Sequence, residues 1–170
     1  MRFLSSRSWR IRGLRRFTTV RPTIVLGHGS ATLAGLEKLA RLPVVPVFGN
    51  GRALVQPIFV DDVVDFIATV LDEDRFCNET LELGGPSVLT IEELLGAIRR
   101  ARSGTAARFV HIPLGLVLPP LKAAESIGLA GLLPVSVGQL SPFRYDSTID
   151  SNPLHESRRA GLRDVRQMLA

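Results

Sequence analysis

The chain has 170 residues, enough for one domain with a real core, and its 45% hydrophobic content excludes a disordered composition. Its single cysteine, Cys77, excludes an internal disulfide and any multi-cysteine metal site, which fits a reducing compartment. The net charge of +5 is unevenly spread: seven arginines lie between Arg2 and Arg21, no acid precedes Glu37, and the remainder is close to neutral.

The opening MRFLSSRSWRIRGLRRF carries three readings. Arg-rich, Ser-containing and acid-free, it has the composition of a mitochondrial transit peptide. With Phe3, Trp9 and Phe17 among the arginines it also suits a nucleic-acid arm. The plainest reading, a solvated and poorly ordered basic leader over residues 1–16, is preferred. It lacks the long apolar stretch of a secretory signal, so a cytoplasmic location is expected, with a mitochondrial one as the alternative.

Phe17–Leu26 is a continuous apolar run, expected as a strand covered on both faces, with Pro22 marking an edge. Ala31–Leu42 places Leu33, Leu36 and Ala40 at helical spacing before Pro43. Val44–Phe48 and Arg52–Val60 flank Gly49-Asn50-Gly51-Arg52, which predicts a hairpin. A helix follows from Asp61-Asp62, with Val63, Ile67, Val70 and Leu71 as its stripe and either aspartate as its cap. Capping explains the adjacent carboxylates better than a metal or acid–base role.

Leu81–Leu83 reads as a short strand ended by Gly84-Gly85-Pro86. Thr90-Ile91-Glu92-Glu93 is a capping box opening a helix with Leu94, Leu95 and Ile98 inward, and Arg99, Arg100 and Arg102 oppose the dipole in its last turns. Phe109–Ile112 is a further strand. Ile112–Val135 is too interrupted, by Pro119-Pro120, Lys122 and Glu125, to span a membrane; it reads as short packed helices around a cavity, or a lid. A last amphipathic helix is expected over Glu156–Leu169, with Leu162, Val165 and Leu169 inward. The order of strands and helices argues for α/β architecture.

The chemistry is sparse. GHGS at residues 27–30 fails as a dinucleotide fingerprint, because Thr32 stands where the third glycine belongs and no early acid follows to hold a ribose. Its glycines read as a sharp exit from a strand, leaving His28 at the carboxyl end where open α/β sheets place ligands. His28, His111 and His155 are far apart in sequence, and no Walker loop, nucleophile elbow or paired metal-ligating histidines occur. No catalytic residue and no metal ligand is assigned.

Three segments nevertheless recur in a recognisable order: Arg21, Pro22 and Gly27; then Gln56, Pro57, Val60, Asp61 and Asp62; then Gly84, Gly85, Pro86 and Thr90. Over residues 17–153 they resemble the second half of an NAD-dependent epimerase/dehydratase, an extended or atypical short-chain dehydrogenase/reductase. The nearest variety is the group similar to the nucleotide-binding accessory subunit of respiratory complex I. The resemblance implies an α/β fold: the C-terminal, substrate-side portion of a Rossmann-like domain whose N-terminal dinucleotide-binding half is missing, with residues 154–170 as a terminal helix. It implies that Arg21, Pro22 and Thr23 lie on the nicotinamide side, and that Gly27, His28, Arg52 and Gln56 face substrate. The family's Tyr-x-x-x-Lys pair is absent, since Ile149 stands four residues after Tyr145.

The implied function is therefore a partial, non-catalytic NAD(P)-dependent reductase- or epimerase-like domain. A non-catalytic assembly module is the alternative, and an arginine-led nucleic-acid binder is third. NAD or NADP belongs to the full-length family, whereas this chain alone is expected to hold none. A small-molecule substrate would need a completed cofactor half, and the apolar edge at residues 17–26 is expected to promote self-association.

Overall fold

The computed structural model describes residues 17–72, 76–117, 119, 141–150, 156 and 159–169. The basic leader over 1–16 and most of the segment read as a lid lie outside them.

Phe17–Leu26 is not one strand. It forms β1 (Thr19–Pro22) and β2 (Val25–Leu26), separated by a bend at Thr23-Ile24. Each half takes a different parallel partner. β1 pairs with Thr80–Leu83, and β2 pairs with Ile58–Phe59, in registers Thr19 to Thr80 and Val25 to Ile58. The break is held by backbone bonds: the Thr23 N–H donates to the Leu83 carbonyl at 2.8 Å, and the Ile58 N–H to the Ile24 carbonyl at 2.9 Å. Full burial is reached only at Leu26; β1 is half-buried, ends in an exposed Pro22, and has one strand neighbour among the described residues.

α1 (Ala31–Ala40) follows, with Leu33, Leu36, Leu39 and Ala40 inward. The Ser30 side chain caps it, accepting the Leu33 N–H at 3.3 Å. β3 (Val45–Phe48) buries Val45, Val47 and Phe48.

The expected hairpin after β3 does not form. Gly49 and Gly51 have positive φ (88° and 71°), but Asn50 between them does not, so the paired left-handed residues of a tight hairpin turn are lacking. Asn50 instead accepts the Arg52 N–H through Oδ1 at 3.0 Å, a local turn. The chain then diverges. β4 (Leu54–Val55) runs antiparallel to Leu89–Thr90, β5 (Ile58–Phe59) joins β2, and β3 pairs in parallel with Phe109–Ile112.

α2 (Val60–Asp72) starts one residue before the aspartates, so both lie in its first turn, where carboxylates favour the helix dipole; Asp62 turns inward. Its buried face is Asp62, Phe66 and Val70; of the expected stripe Val70 is buried and Val63 half-buried against the same core, whereas Ile67 and Leu71 are exposed. β6 (Thr80–Leu83), β7 (Leu89–Thr90), α3 (Ile91–Ser103) and β8 (Phe109–Ile112) follow. The α3 capping box is complete, and Gly104 closes the helix in the left-handed conformation at φ 65°.

A turn of helix at Ser141–Arg144, α4, lays Phe143 edge-on to Phe48 with centroids 5.2 Å apart. The expected long terminal helix is shorter. A 3₁₀ turn at Arg159–Gly161 precedes α5 (Val165–Leu169); just ahead of the helix the Asp164 N–H donates to Gln167 Oε1 at 2.8 Å. Val165, Met168 and Leu169 are its buried residues, while Leu162 is half-buried ahead of it. The main core joins α1, α3, β3, β4 and α5; a smaller one joins Ile58, Phe66, Val70, Leu81 and Leu83.

Candidate functional site

The three motif segments meet at one knot. Gln56, only 5% exposed, directs Nε2 to the Gly85 carbonyl at 2.8 Å and accepts the Ile149 N–H on Oε1 at 3.2 Å. Its backbone carbonyl takes the Thr23 hydroxyl and, at 3.3 Å, the Gly85 N–H. Glycine at 84 and 85 is required by this closeness: a Cβ on Gly85 would lie 1.8 Å from the Pro57 carbonyl oxygen, and one on Gly84 2.6 Å from Gln56 Cδ. Thus Thr23 and Gln56, both candidate ligand-facing residues, use their polar groups within the protein and fix how β1, β5 and β6 approach one another.

Beyond the knot, the chain leaves β2 through Gly27, His28 and Gly29 into α1. Gly27 is pressed against α2, where a Cβ would stand 2.4 Å from Val60 Cγ1, whereas Gly29 has φ 79° and open space around it. This exit borders a cavity of about 330 Å³ lined also by Ser30, Leu33, Glu37, Phe59, Arg102 and Met168. The floor is apolar. The rim holds the exposed His28 and an ion pair in which Arg102 Nη2 lies 2.8 Å from Glu37 Oε1.

A dinucleotide pyrophosphate does not fit this exit. Ser30 already accepts the Leu33 N–H at the start of α1, and its hydroxyl turns inward to the Val25 carbonyl at 3.2 Å. Gly27 is closed off by Val60.

The structure therefore brings Gly27 and His28 to one cavity and leaves Gln56 outside its lining. Arg21 and Pro22 lie on β1, outside that lining. Arg52 is exposed on the Gly49–Arg52 turn, also away from it. Beneath that turn lies a pair that sequence reading missed: His111 Nε2 and Glu92 Oε2 are 2.8 Å apart, half-exposed, with Gly51 tight against both. The other missed feature is Arg163. Its N–H and guanidinium reach the buried Asp62 at 2.9 and 3.0 Å, and it stacks 4.9 Å over the Phe59 ring. No sequence pattern links those residues, which lie a hundred positions apart. Among the described residues no three His, Cys, Asp or Glu side chains converge as a metal site, and no helix is long and apolar enough to cross a membrane.

No family model matches the chain. A stretch of 86 residues is 31% identical to subunit 9 of the NADH dehydrogenase [ubiquinone] 1 alpha subcomplex of Arabidopsis thaliana, a mitochondrial protein; the match covers 49% of this chain and 21% of the plant protein. Over about half its length the chain is similar to one part of that subunit. Among solved structures, gox2253 superposes over 89% of the chain and 46% of its own length, with TM-score 0.55 and 16% identity. UDP-glucuronic acid 4-epimerase from Bacillus cereus, solved with NAD, covers 89% of the chain and 43% of its own length at TM-score 0.49 and 13% identity. The chain thus spans about a fifth of the curated relative and under half of these structures. The resemblance read from the motifs to the complex I accessory-subunit group agrees with the plant match, and the α/β fold with the superposition on gox2253.

Proposed function

We propose that the chain contributes the substrate- and nicotinamide-side wall of a nucleotide-cofactor cleft and is not catalytic by itself. The observation that carries this reading is the Thr23–Gln56–Gly85 knot. It gathers the three family-like segments, with Thr23 and Gly85 just past the carboxyl ends of the parallel strands β1 and β6, where such folds bind ligands, and Gln56 tied to them from just ahead of β5. Arg21, Pro22 and Thr23 lead into this point on the nicotinamide side, and Gly27 and His28 open onto the cavity beyond it. The missing Tyr-x-x-x-Lys pair and the poor fit of the GHGS exit to a pyrophosphate support the lack of independent hydride transfer.

The test is a titration of the full chain with NADH and NADPH, followed by nicotinamide fluorescence, alongside an assay for sugar-nucleotide epimerisation. Neither saturable cofactor binding nor turnover is expected. Turnover by the chain alone would overturn the reading.

The plant match favours a second reading, a non-catalytic assembly module in mitochondria, with which the Arg-rich opening agrees. Co-purification with respiratory-chain subunits after tagging in cells would favour it. A purely cytosolic, unassociated chain would exclude it.

A further inference from the structure

α2 carries two apolar stripes. One is buried through Phe66 and Val70. The other consists of Val64, Ile67, Ala68 and Leu71, at i, i+3, i+4 and i+7, and faces outward with Val64 58%, Ile67 41% and Leu71 75% exposed. That spacing is the period by which one helix receives another. Beside it, Phe17, Thr18, Val20 and Phe76 join Ile67 and Leu71 around a groove of about 290 Å³ between α2 and β1. Single exposed apolar residues are ordinary, but a periodic stripe continuous with an apolar groove marks an interaction surface.

Charge selects the occupant. Asp65 and Asp72 are exposed on one flank of the stripe, three and four residues from Ala68 and so on neighbouring turns, while Asp61 on the same flank already shares the Arg163 guanidinium at 3.5 Å. A two-fold antiparallel pairing of two copies would set this acidic flank against itself, which like-charge repulsion opposes. A helix with an apolar face and a basic margin meets the stripe and the acids together. We infer that the outer face of α2, with the groove beside β1, docks a basic amphipathic helix from a partner protein.

The probes are a fluorescently labelled leucine–lysine amphipathic helix and its leucine–glutamate counterpart, titrated against the full chain by anisotropy. The basic probe is expected to bind at least about tenfold more tightly than the acidic one, and Ile67→Ser/Leu71→Ser to weaken it at least about tenfold. Those residues are exposed, so the thermal melt by circular dichroism should stay in place. Asp65→Lys/Asp72→Lys should reverse the probe preference; this second variant leaves the apolar stripe intact. Equal affinity for both probes, or binding indifferent to the serine and lysine variants, would overturn the assignment. So would sedimentation showing a dimer that the serine variant dissociates, because the occupant would then be a second copy.

Discussion

Asp62 and Arg163 form a two-point clasp: one carboxylate oxygen accepts the Arg163 backbone N–H at 2.9 Å and the other its guanidinium at 3.0 Å. The carboxylate is 7% exposed and the arginine side chain 41%, so the two truncations are not equivalent. Arg163→Ala leaves a buried carboxylate with one backbone donor and also removes the stack on Phe59. It should cost about 1–3 kcal/mol, the penalty for a buried group left short of partners. Asp62→Leu removes the buried charge itself and frees the Arg163 N–H and guanidinium, but these are half-exposed and Asp61 stays 3.5 Å from the guanidinium, so it should cost less. Urea unfolding of both variants checks the order; equal losses would mean that the clasp contributes little beyond packing.

The capping box at α3 gives a pH-dependent prediction. The Glu93 carboxyl is held below its ordinary value of 4.5, first by the Thr90 backbone N–H and then by the Thr90 hydroxyl. Because the folded value is depressed, its contribution is fully present above 4.5 and lost as pH falls through the lower folded value. The stability gap between the native chain and Glu93→Gln should therefore shrink as the pH is taken below that range. Thr90→Ala should cost about 1 kcal/mol at neutral pH, as cap removals do. Denaturant midpoints measured across pH test both; a gap that widens in acid would contradict the assigned cause.

Much of this was legible in the chain, and the failures share a physical origin. The α3 capping box and the inward faces of α1 and α3 are local patterns, set within one or two turns, and they appear where the spacing places them. α2 was misread because it is apolar on two sides: Val63, Ile67, Val70 and Leu71 form a plausible stripe, but tertiary packing selects Phe66 and Val70. The hairpin failed because the bend needs two glycines with Asn50 between them, while β3 finds a better-buried neighbour in β8, some sixty residues later. Of the candidate site, Gly27 and His28 were readable from the strand exit. The use of Gln56 as an internal tie was not, since its partners Gly85 and Ile149 are remote in sequence.

The glycine pair of the knot offers a steric test. A methyl on Gly85 meets the Pro57 carbonyl oxygen at 1.8 Å, and backbone cannot swing aside as a side chain can. Gly85→Ala should cost about 1–3 kcal/mol or more through overpacking. Gly29→Ala meets nothing within 4 Å and carries only the strain of φ 79°, about 1–2 kcal/mol. Differential scanning calorimetry should place the Gly85 variant below the Gly29 variant. The reverse order would mean that β5 and β6 do not approach this closely.

The arginines closing α3 divide by what they touch, although by sequence all three oppose the same dipole. Arg99 Nη1 donates to the carbonyls of Ala40 and Leu42, each at 2.8 Å, satisfying the end of α1. Arg102 pairs with Glu37, whose side chain is 18% exposed against 38% for the arginine, so solvent screens the pair only in part. No hydrogen bond or ion pair is seen for the Arg100 side chain among the described residues, and its role is confined to the dipole. Replacement by alanine should therefore cost most at Arg99, about 1–2 kcal/mol for losing a charged donor to otherwise unpaired carbonyls. It should cost about 0.2–1 kcal/mol at Arg102, declining as salt is added. At Arg100 it should cost about half a kcal/mol or less. Urea titrations at low and high salt separate the three, because only the Arg102 effect combines an intermediate size with a clear salt dependence. A loss at Arg100 matching that at Arg99 would show that α3 acts on α1 through its field rather than through a direct grip on its last carbonyls.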